Sequence, residues 1–534
     1  MSLSKTSTAR PAALHPFEGR DLNWLLDYRA NSRPDHPFVV WEPFAGERES
    51  WSYRRFQQRV LRIAAGLARR GVVAGDTVLV HLDNGPEFEL AWFACARLGA
   101  VVVTTNTRSA GDELSYFAEH SRAVGAITSP EYAGLFSQHV RGLRWLAVTA
   151  RAWDGAPVDQ PLGQDAFAAL DGDPDSLPKL AQDAWRPGSV QYTSGTTSRP
   201  KGVLWTHGNS LCGAQGSAFH ERLTPDSVHL VTMPQFHTNA RTYSILPALW
   251  VGATVLLTPK FSASRFWATA ARHGCTHASM LRFFYKILMQ QEVPAQHSFQ
   301  VWNAGAVDLA MAERFGLRSL GHYGSTETVG PALVTDLLSE ARNGTVGHCA
   351  PGYGIRIVNE DGQRAAIGEV GHLQVHGTRG AQIFSEYLHS PEATRDSFTP
   401  DGWFITGDRV VLGEDGATSF VDRAKDMLKI AGENVSAAEV ERVILEVAGV
   451  DEAAVVGRVD EMRGDIPVAF VLPRSSVAAS EHAALAERIN AACQSRLAGF
   501  KVPQQVILVS EMPRAALEKI NKTELRKRLV APAA

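Results

Sequence analysis

The sequence predicts an α/β protein: a large N-terminal domain of parallel-rich sheets covered by helices, followed by a smaller α+β domain. Three observations carry this expectation. The chain has 534 residues, beyond the roughly 250–300 at which a single core stops growing. Strand-like and helix-like patterns alternate through most of its length, a rhythm that implies parallel strands joined by covering helices. Near residue 412 the texture changes: LGEDGATSFVDRAKDMLKIAGENVS is dense in glycine and charge and reads as a turn, a strand and a basic hairpin.

Taken in order, Thr77–Leu82 is a β-branched apolar run and so a buried strand. Pro86 opens a helix to about Leu98 with Phe88, Trp92 and Cys95 on one face. Val101–Val103 is the next strand. Residues 150–185, rich in Asp, Pro, Gly and Ala, include a surface loop. The strands Val228–Thr232, Thr254–Leu257 and Phe299–Asn303 continue the rhythm. The apolar stretch Ile245–Leu257 is broken by Pro247 and Gly252 and is too short to span a bilayer; it reads as a buried helix turning into a strand. Past residue 421, Ala437–Val447 places Val440, Val443, Ile444 and Val447 on one helical face. Val468–Leu472 is a strand, Ser480–Leu497 a second helix and Val506–Val509 a last strand. The expected domains are residues 1–421 and 422–534.

Composition excludes several classes. Hydrophobic content of 45% suits an ordinary globular protein. A net charge of -3 gives no reason to expect nucleic acid or a membrane surface as partner; a homodimer is the one macromolecular assembly left open. The 5 cysteines are scattered without a CxxC pair, which argues against a disulfide framework or a zinc site and fits a reducing cytoplasm. The N-terminal segment lacks the apolar core of a signal peptide.

The most informative stretch is Tyr192–Gly202, YTSGTTSRPKG. Small hydroxyl residues and glycines let backbone N–H and side-chain O–H groups converge on a phosphate, and Lys201 adds a positive charge. It is not a Walker loop: counted from Gly195, Pro200 stands where that pattern needs glycine, and Gly202 where it needs Ser or Thr. Further along stand MPQFH ending at His237, NAGAV at Asn303–Val307, YGSTE at Tyr323–Glu327, GWFITGD at Gly402–Asp408, VDRAKD around Arg423, and PRAALEKINK at Pro513–Lys522. Each alone reads as a turn or solvated surface. Tyr-Gly lets an aromatic face lie against a base, Glu327 is the oxygen donor that Mg²⁺ prefers, and an Asp after Thr-Gly can present both oxygens to vicinal hydroxyls.

In their order these motifs resemble the acyl-adenylate-forming superfamily: acyl-CoA synthetases, peptide-synthetase adenylation domains and beetle luciferases. Its phosphate loop is roughly [YF]TSGTTGxPKG, and Ser198 is the departure here. The resemblance implies a mobile C-terminal domain, ATP and CoA as co-substrates, and Mg²⁺. It implies that Thr193, Ser194, Gly195, Thr196, Thr197 and Lys201 hold phosphate. Gly305, Ala306, Tyr323, Gly324, Ser325 and Thr326 would hold adenine, Asp408 and Arg423 the ribose, and Glu327 the metal. Catalytic roles fall to Lys519, Glu327, His237 and Thr196. Lys425 takes the hinge position, and Lys429, Gly432, Glu433 and Asn434 the pantetheine tunnel. Ser436-Ala437-Ala438 replaces the usual proline segment, with Ser436 able to cap a helix, and Glu518 stands where glycine is common before the catalytic lysine.

The implied reaction is ATP-dependent acid–CoA ligation through an acyl-AMP. The alternatives are a stand-alone acyl-AMP ligase that loads a carrier protein, and a luciferase-like oxygenase or nucleotide sensor. Since the sequence runs only a short way past Lys522, no fused carrier domain is expected. The segment from Phe236 to Trp267 is similar to the carnitine/crotonobetaine-CoA ligase-like branch. Expected pocket residues are His237, Thr238, Asn239 and Tyr243 on that segment, together with Met280, Asn303, Ala304, Gly324 and Val329. They suggest a compact or flat acid: a benzoate- or naphthoate-type aryl acid, a short branched acyl acid, or a carnitine-like acid.

Overall fold

The computed structural model describes residues 14–109, 111–159, 165–193, 200–423, 427–430, 433–460, 464–497, 499–514 and 519–530. Contacts divide the chain into two compact units, residues 1–355 with 375–404, and residues 356–374 with 405–534. Residues 405–421, read from the sequence as the end of the larger domain, therefore pack with the smaller unit.

The larger unit holds two sheets. In the eight-stranded sheet, Thr77–His81 lies between Val101–Thr104 and Gly125–Thr128, all parallel. All five positions of Thr77–His81 are buried, as a strand covered on both faces requires. The helix Pro86–Leu98 returns the chain; Pro86 takes its first turn and Gly99 its left-handed cap at φ 69°. Strand Pro187–Thr193 adds parallel to Val101–Thr104, and Lys201–Thr206 then doubles back antiparallel, with Thr193 opposite Lys201. Thr193 and Lys201, which flank the phosphate-loop candidate, thus lie opposite each other where these two strands end.

The nine-stranded sheet runs parallel through Val228–Val231, Thr254–Leu257, His277–Ser279, Val301–Gly305 and Arg318–Tyr323. Strand Val301–Gly305 begins two residues later than its apolar run suggests. The Ile245–Leu257 stretch is a helix, Leu246–Val251, turned by Gly252 at φ 84° into the strand Thr254–Leu257. A π-helical turn, Arg241–Ile245, precedes it, a feature that often marks functional sites. Among the described residues no helix is long and apolar enough to cross a membrane, and the cysteines are free thiols.

In the smaller unit, strand Phe404–Leu412 pairs antiparallel with Thr418–Arg423. A second sheet is built on the antiparallel pair Val450–Asp460 and Gly464–Pro473, with Gln505–Leu508 parallel to the latter. The helices Ala437–Leu445 and His482–Arg496 cover it through Val440, Ile444, Leu485 and Ile489.

Candidate active site

In the larger unit, the ends of the two sheets are stitched together at the residues that the motifs single out. Thr238 follows His237 in a short turn where the His237 ring accepts from the backbone N–H of Asn239. The Thr238 hydroxyl lies 2.9 Å from Gln191 Oε1, on the strand Pro187–Thr193, and 3.1 Å from Thr326 Oγ1 in the YGSTE turn. The Trp205 indole N–H donates to the Thr326 carbonyl at 2.8 Å. Gln191, Trp205, Thr238 and Thr326 therefore meet at one locus.

A second link runs through Tyr387, which no sequence motif marked. It sits on the short strand Glu386–Tyr387, paired antiparallel with the hairpin so that Tyr387 faces Val203. Its hydroxyl donates to Glu327 Oε1 at 2.9 Å. Lys201 Nζ lies 4.8 Å from the centre of its ring, a cation–π contact. One ring thus carries both the hairpin cation and the YGSTE carboxylate. Burial and the Glu327 charge push the Tyr387 phenol well above its ordinary pKa, so it stays a donor. Glu327 Oε2 is left as a hard oxygen donor suited to Mg²⁺ that is also held by substrate phosphates. Among the described residues no cluster of three or more His, Cys, Asp or Glu forms a self-sufficient metal cage.

The YGSTE turn is locked locally. The Ser325 N–H donates to Thr328 Oγ1 at 2.7 Å and the Thr328 N–H to Ser325 Oγ at 3.2 Å. Gly324 has no room for a side chain, since a Cβ there would collide with Tyr243 Oη. Val329 is buried with φ 64°, a conformation that costs a β-branched residue strain. Its Cγ1 would stand 3.3 Å from a Cβ on Gly213, which would already press on Thr242 Cγ2 at 2.8 Å. Gly305 adopts φ 75° at the end of its strand and leaves the neighbouring Ala306 exposed. The Met280 N–H donates to the Asn303 carbonyl at 2.7 Å, and Asn303 and Ala304 are buried.

The segment carrying His237 and Tyr243 is held from behind by a buried ion pair. Arg241 meets Glu89 with both guanidinium nitrogens, and both side chains are fully buried. Gln235 Nε2 also donates to Glu89, and the Arg241 guanidinium lies 4.2 Å from the Trp92 ring centre. These partners are about 150 residues apart in sequence.

The remaining expected residues belong to the smaller unit. Asp408 is buried, and its strand register places it opposite Arg423. Lys429 pairs with Asn434 and Ile430 with Glu433 in the hairpin Met427–Ser436. Lys519 is exposed, whereas Lys522 is tied to Glu441 at 2.8 Å. Ser194, Gly195, Thr196, Thr197 and Ser198, Lys425, Gly432 and Glu518 lie outside the described residues.

The AMP-binding enzyme family model matches residues 26–388, and the AMP-binding enzyme C-terminal domain model matches residues 439–519. A crotonobetaine/carnitine–CoA ligase of Salmonella paratyphi C (strain RKS4594) is 31% identical over 522 residues, covering 95% of this chain and 99% of that protein. A benzoate CoA ligase from Burkholderia xenovorans LB400 superposes with a TM-score of 0.81 at 26% identity, covering 95% of this chain and 99% of the other. ATP-bound MatB from Rhodopseudomonas palustris gives 0.82 at 25% identity, covering 94% and 98%.

Proposed function

The chain belongs to the AMP-binding enzyme family, and from that premise we propose that it is an ATP-dependent, AMP-forming acid–CoA ligase working through the residues described above. The observation that supports the residue assignment is the Tyr387 bridge, which sets Lys201 and Glu327 on one ring.

A carboxylate is a poor acyl donor because oxide would have to leave. One carboxylate oxygen of the acid attacks the α-phosphorus of ATP, the bond to the β-phosphate bridging oxygen breaks, and pyrophosphate departs. The thiolate sulfur of CoA then attacks the carbonyl carbon of the acyl-AMP, and AMP leaves with the former carboxylate oxygen. The protein needs no nucleophile of its own. It needs donors and cations held where phosphoryl charge shifts.

Thr193–Thr197 and Lys201 cradle the phosphates, and Lys519 faces the α-phosphate and carboxylate during the first half-reaction. Glu327 would hold Mg²⁺, which would supply charge neutralisation at the phosphates. Gly305, Ala306 and Tyr323 to Thr326 receive adenine, and Asp408 with Arg423 the ribose hydroxyls. His237 closes the acid end, with Thr238, Asn239, Tyr243 and Val329 as its walls. The different charge demands of the two half-reactions suit a C-terminal domain that pivots at Lys425 and brings Lys429 and Gly432–Asn434 to the pantetheine arm. The free thiols fit a cytoplasmic location.

The test is direct. Purified protein given ATP, Mg²⁺, CoA and a panel of acids yields acyl-CoA by mass spectrometry. An acyl-AMP that accumulates despite free CoA, but is consumed by a carrier protein bearing phosphopantetheine, would instead identify a carrier-loading ligase.

A further inference from the structure

Behind the acid-end residues lies a knot of buried polar groups that the two half-reactions do not use. Glu221 caps the helix His207–His220, and its side chain is almost wholly buried. One carboxylate oxygen accepts from Asn303 Nδ2 at 3.2 Å, and the other lies 3.1 Å from His229 Nε2. The Glu221 carbonyl accepts from His277 Nε2 at 3.1 Å. The carboxylate at the centre is therefore satisfied.

The atoms around it are not. Asn303 Oδ1, Tyr243 Oη, His322 Nδ1 and Ser279 Oγ are buried without a hydrogen-bond partner in the protein. Tyr243 is 4% exposed and Asn303 is 3% exposed. The rings of Tyr243 and His322 meet edge to face at 4.4 Å, and Ser279 and Asn303 are register partners on adjacent strands. A buried polar group left unpaired is costly, and native interiors seldom leave several together. These atoms adjoin the proposed acyl-adenylate site: Tyr243 Oη overlies Gly324, and Asn303 is two residues before Gly305 on one strand.

Their chemistry selects a ligand. Because Glu221 claims the Asn303 amide nitrogen, the side-chain oxygen of Asn303 is turned to the other side as a pure acceptor. The Tyr243 hydroxyl, near enough to Glu221 to feel its charge, can donate or accept. A hydroxyl or amino group satisfies both. A hydrocarbon tail satisfies neither, and a quaternary ammonium has no N–H to give. Glu221 offers no open counter-charge to such a cation, since both its oxygens are engaged behind Asn303.

We propose that the acid substrate carries a neutral hydroxyl or amino group on its carbon skeleton, which docks against Asn303 Oδ1 and Tyr243 Oη with His322 at its flank. The proposal rests on the ligase reading and names the class of acid within it.

The test is a matched panel in an acid-dependent pyrophosphate-release assay: 3-hydroxy-, 3-amino-, 3-methyl- and 3-(trimethylammonio)benzoate, and 3-hydroxybutyrate against 3-methylbutyrate. In at least one skeleton the hydroxyl or amino member exceeds its methyl counterpart by about tenfold or more in kcat/KM. Tyr243→Phe and His322→Phe each shrink that ratio. Tyr243→Phe melts at or above the wild-type temperature, because the hydroxyl it removes has no partner in the protein. Preference for the methyl or trimethylammonio members would overturn the proposal while leaving the ligase reading intact. So would a hydroxyl preference unchanged in both variants. Pyrophosphate release with none of these acids or with any wider panel would overturn the ligase reading, and the proposal with it.

Discussion

Tyr387→Phe separates two roles of one side chain. The ring that supports Lys201 and packs 4.7 Å from Phe384 stays, while the hydroxyl that reaches Glu327 Oε1 at 2.9 Å is lost. A hydrogen bond to a charged group contributes about 1.5–3 kcal/mol. At about 1.4 kcal/mol per factor of ten, that corresponds to roughly 10- to 100-fold. If Tyr387 holds Glu327 in place for Mg²⁺, the loss falls on the metal dependence. The Mg²⁺ concentration for half-maximal pyrophosphate release rises by about that factor, and the melting temperature changes little. The assay is a Mg²⁺ titration of wild type, Tyr387→Phe, Glu327→Ala and the double variant. In the Glu327→Ala background, removing the hydroxyl should add almost nothing. A Tyr387→Phe enzyme with a wild-type Mg²⁺ profile, or losses that simply multiply in the double variant, would refute the reasoning.

Arg241→Met strands the fully buried Glu89 charge. It should destabilise the larger unit by about 3–5 kcal/mol, seen as an earlier thermal transition, and Glu89→Met in the same chain should restore most of it; an unchanged single variant would count against the pair. Acid should weaken the larger unit in a defined window. Burial lowers His81 and His322 to about 4 and His277 to about 3, from an ordinary 6.5. Between 6.5 and those values the unfolded chain binds protons that the native rings refuse. Stability therefore falls with pH below 6.5 by roughly 1.4 kcal/mol per unit for each ring, and is flat with respect to them above it. Urea midpoints from pH 8 to 4.5 check this, and a midpoint that rose on acidification would contradict it. Lys519→Ala should lose about 10²–10³ in acyl-AMP formation yet make thioester from supplied acyl-AMP at near the normal rate; equal damage to both steps would contradict its assigned role.

Local signals made much of the fold legible. Thr77–His81 could be read because an uninterrupted apolar strand announces a covered parallel sheet, and Pro86–Leu98 because Pro86 and Gly99 punctuate it. The helix-to-strand turn inside Ile245–Leu257 was legible from Pro247 and Gly252. What could not be read depends on partners remote in sequence. Tyr387 is an ordinary tyrosine until it meets Glu327, 60 residues earlier. Glu221 carries no signal of its own in the sequence; its meaning comes from Asn303, 82 residues on, which donates to it. Glu221 lies behind the acid-end residues with both carboxylate oxygens already engaged, and no local pattern announces it. The π-turn at Arg241–Ile245 has no local sequence signal either, and its first residue is held by Glu89, 152 residues earlier.

The central claim is that the acid is activated by bonding one of its own oxygens to the α-phosphorus of ATP. It is tested most directly by supplying an accepted acid labelled with ¹⁸O in both carboxylate oxygens, together with ATP, Mg²⁺ and CoA, and weighing the products by mass spectrometry. The account predicts AMP carrying one ¹⁸O, pyrophosphate carrying none, and an acyl-CoA that keeps the other. Label in inorganic phosphate with ADP as the nucleotide product, or unlabelled AMP beside a doubly labelled acid, would contradict it.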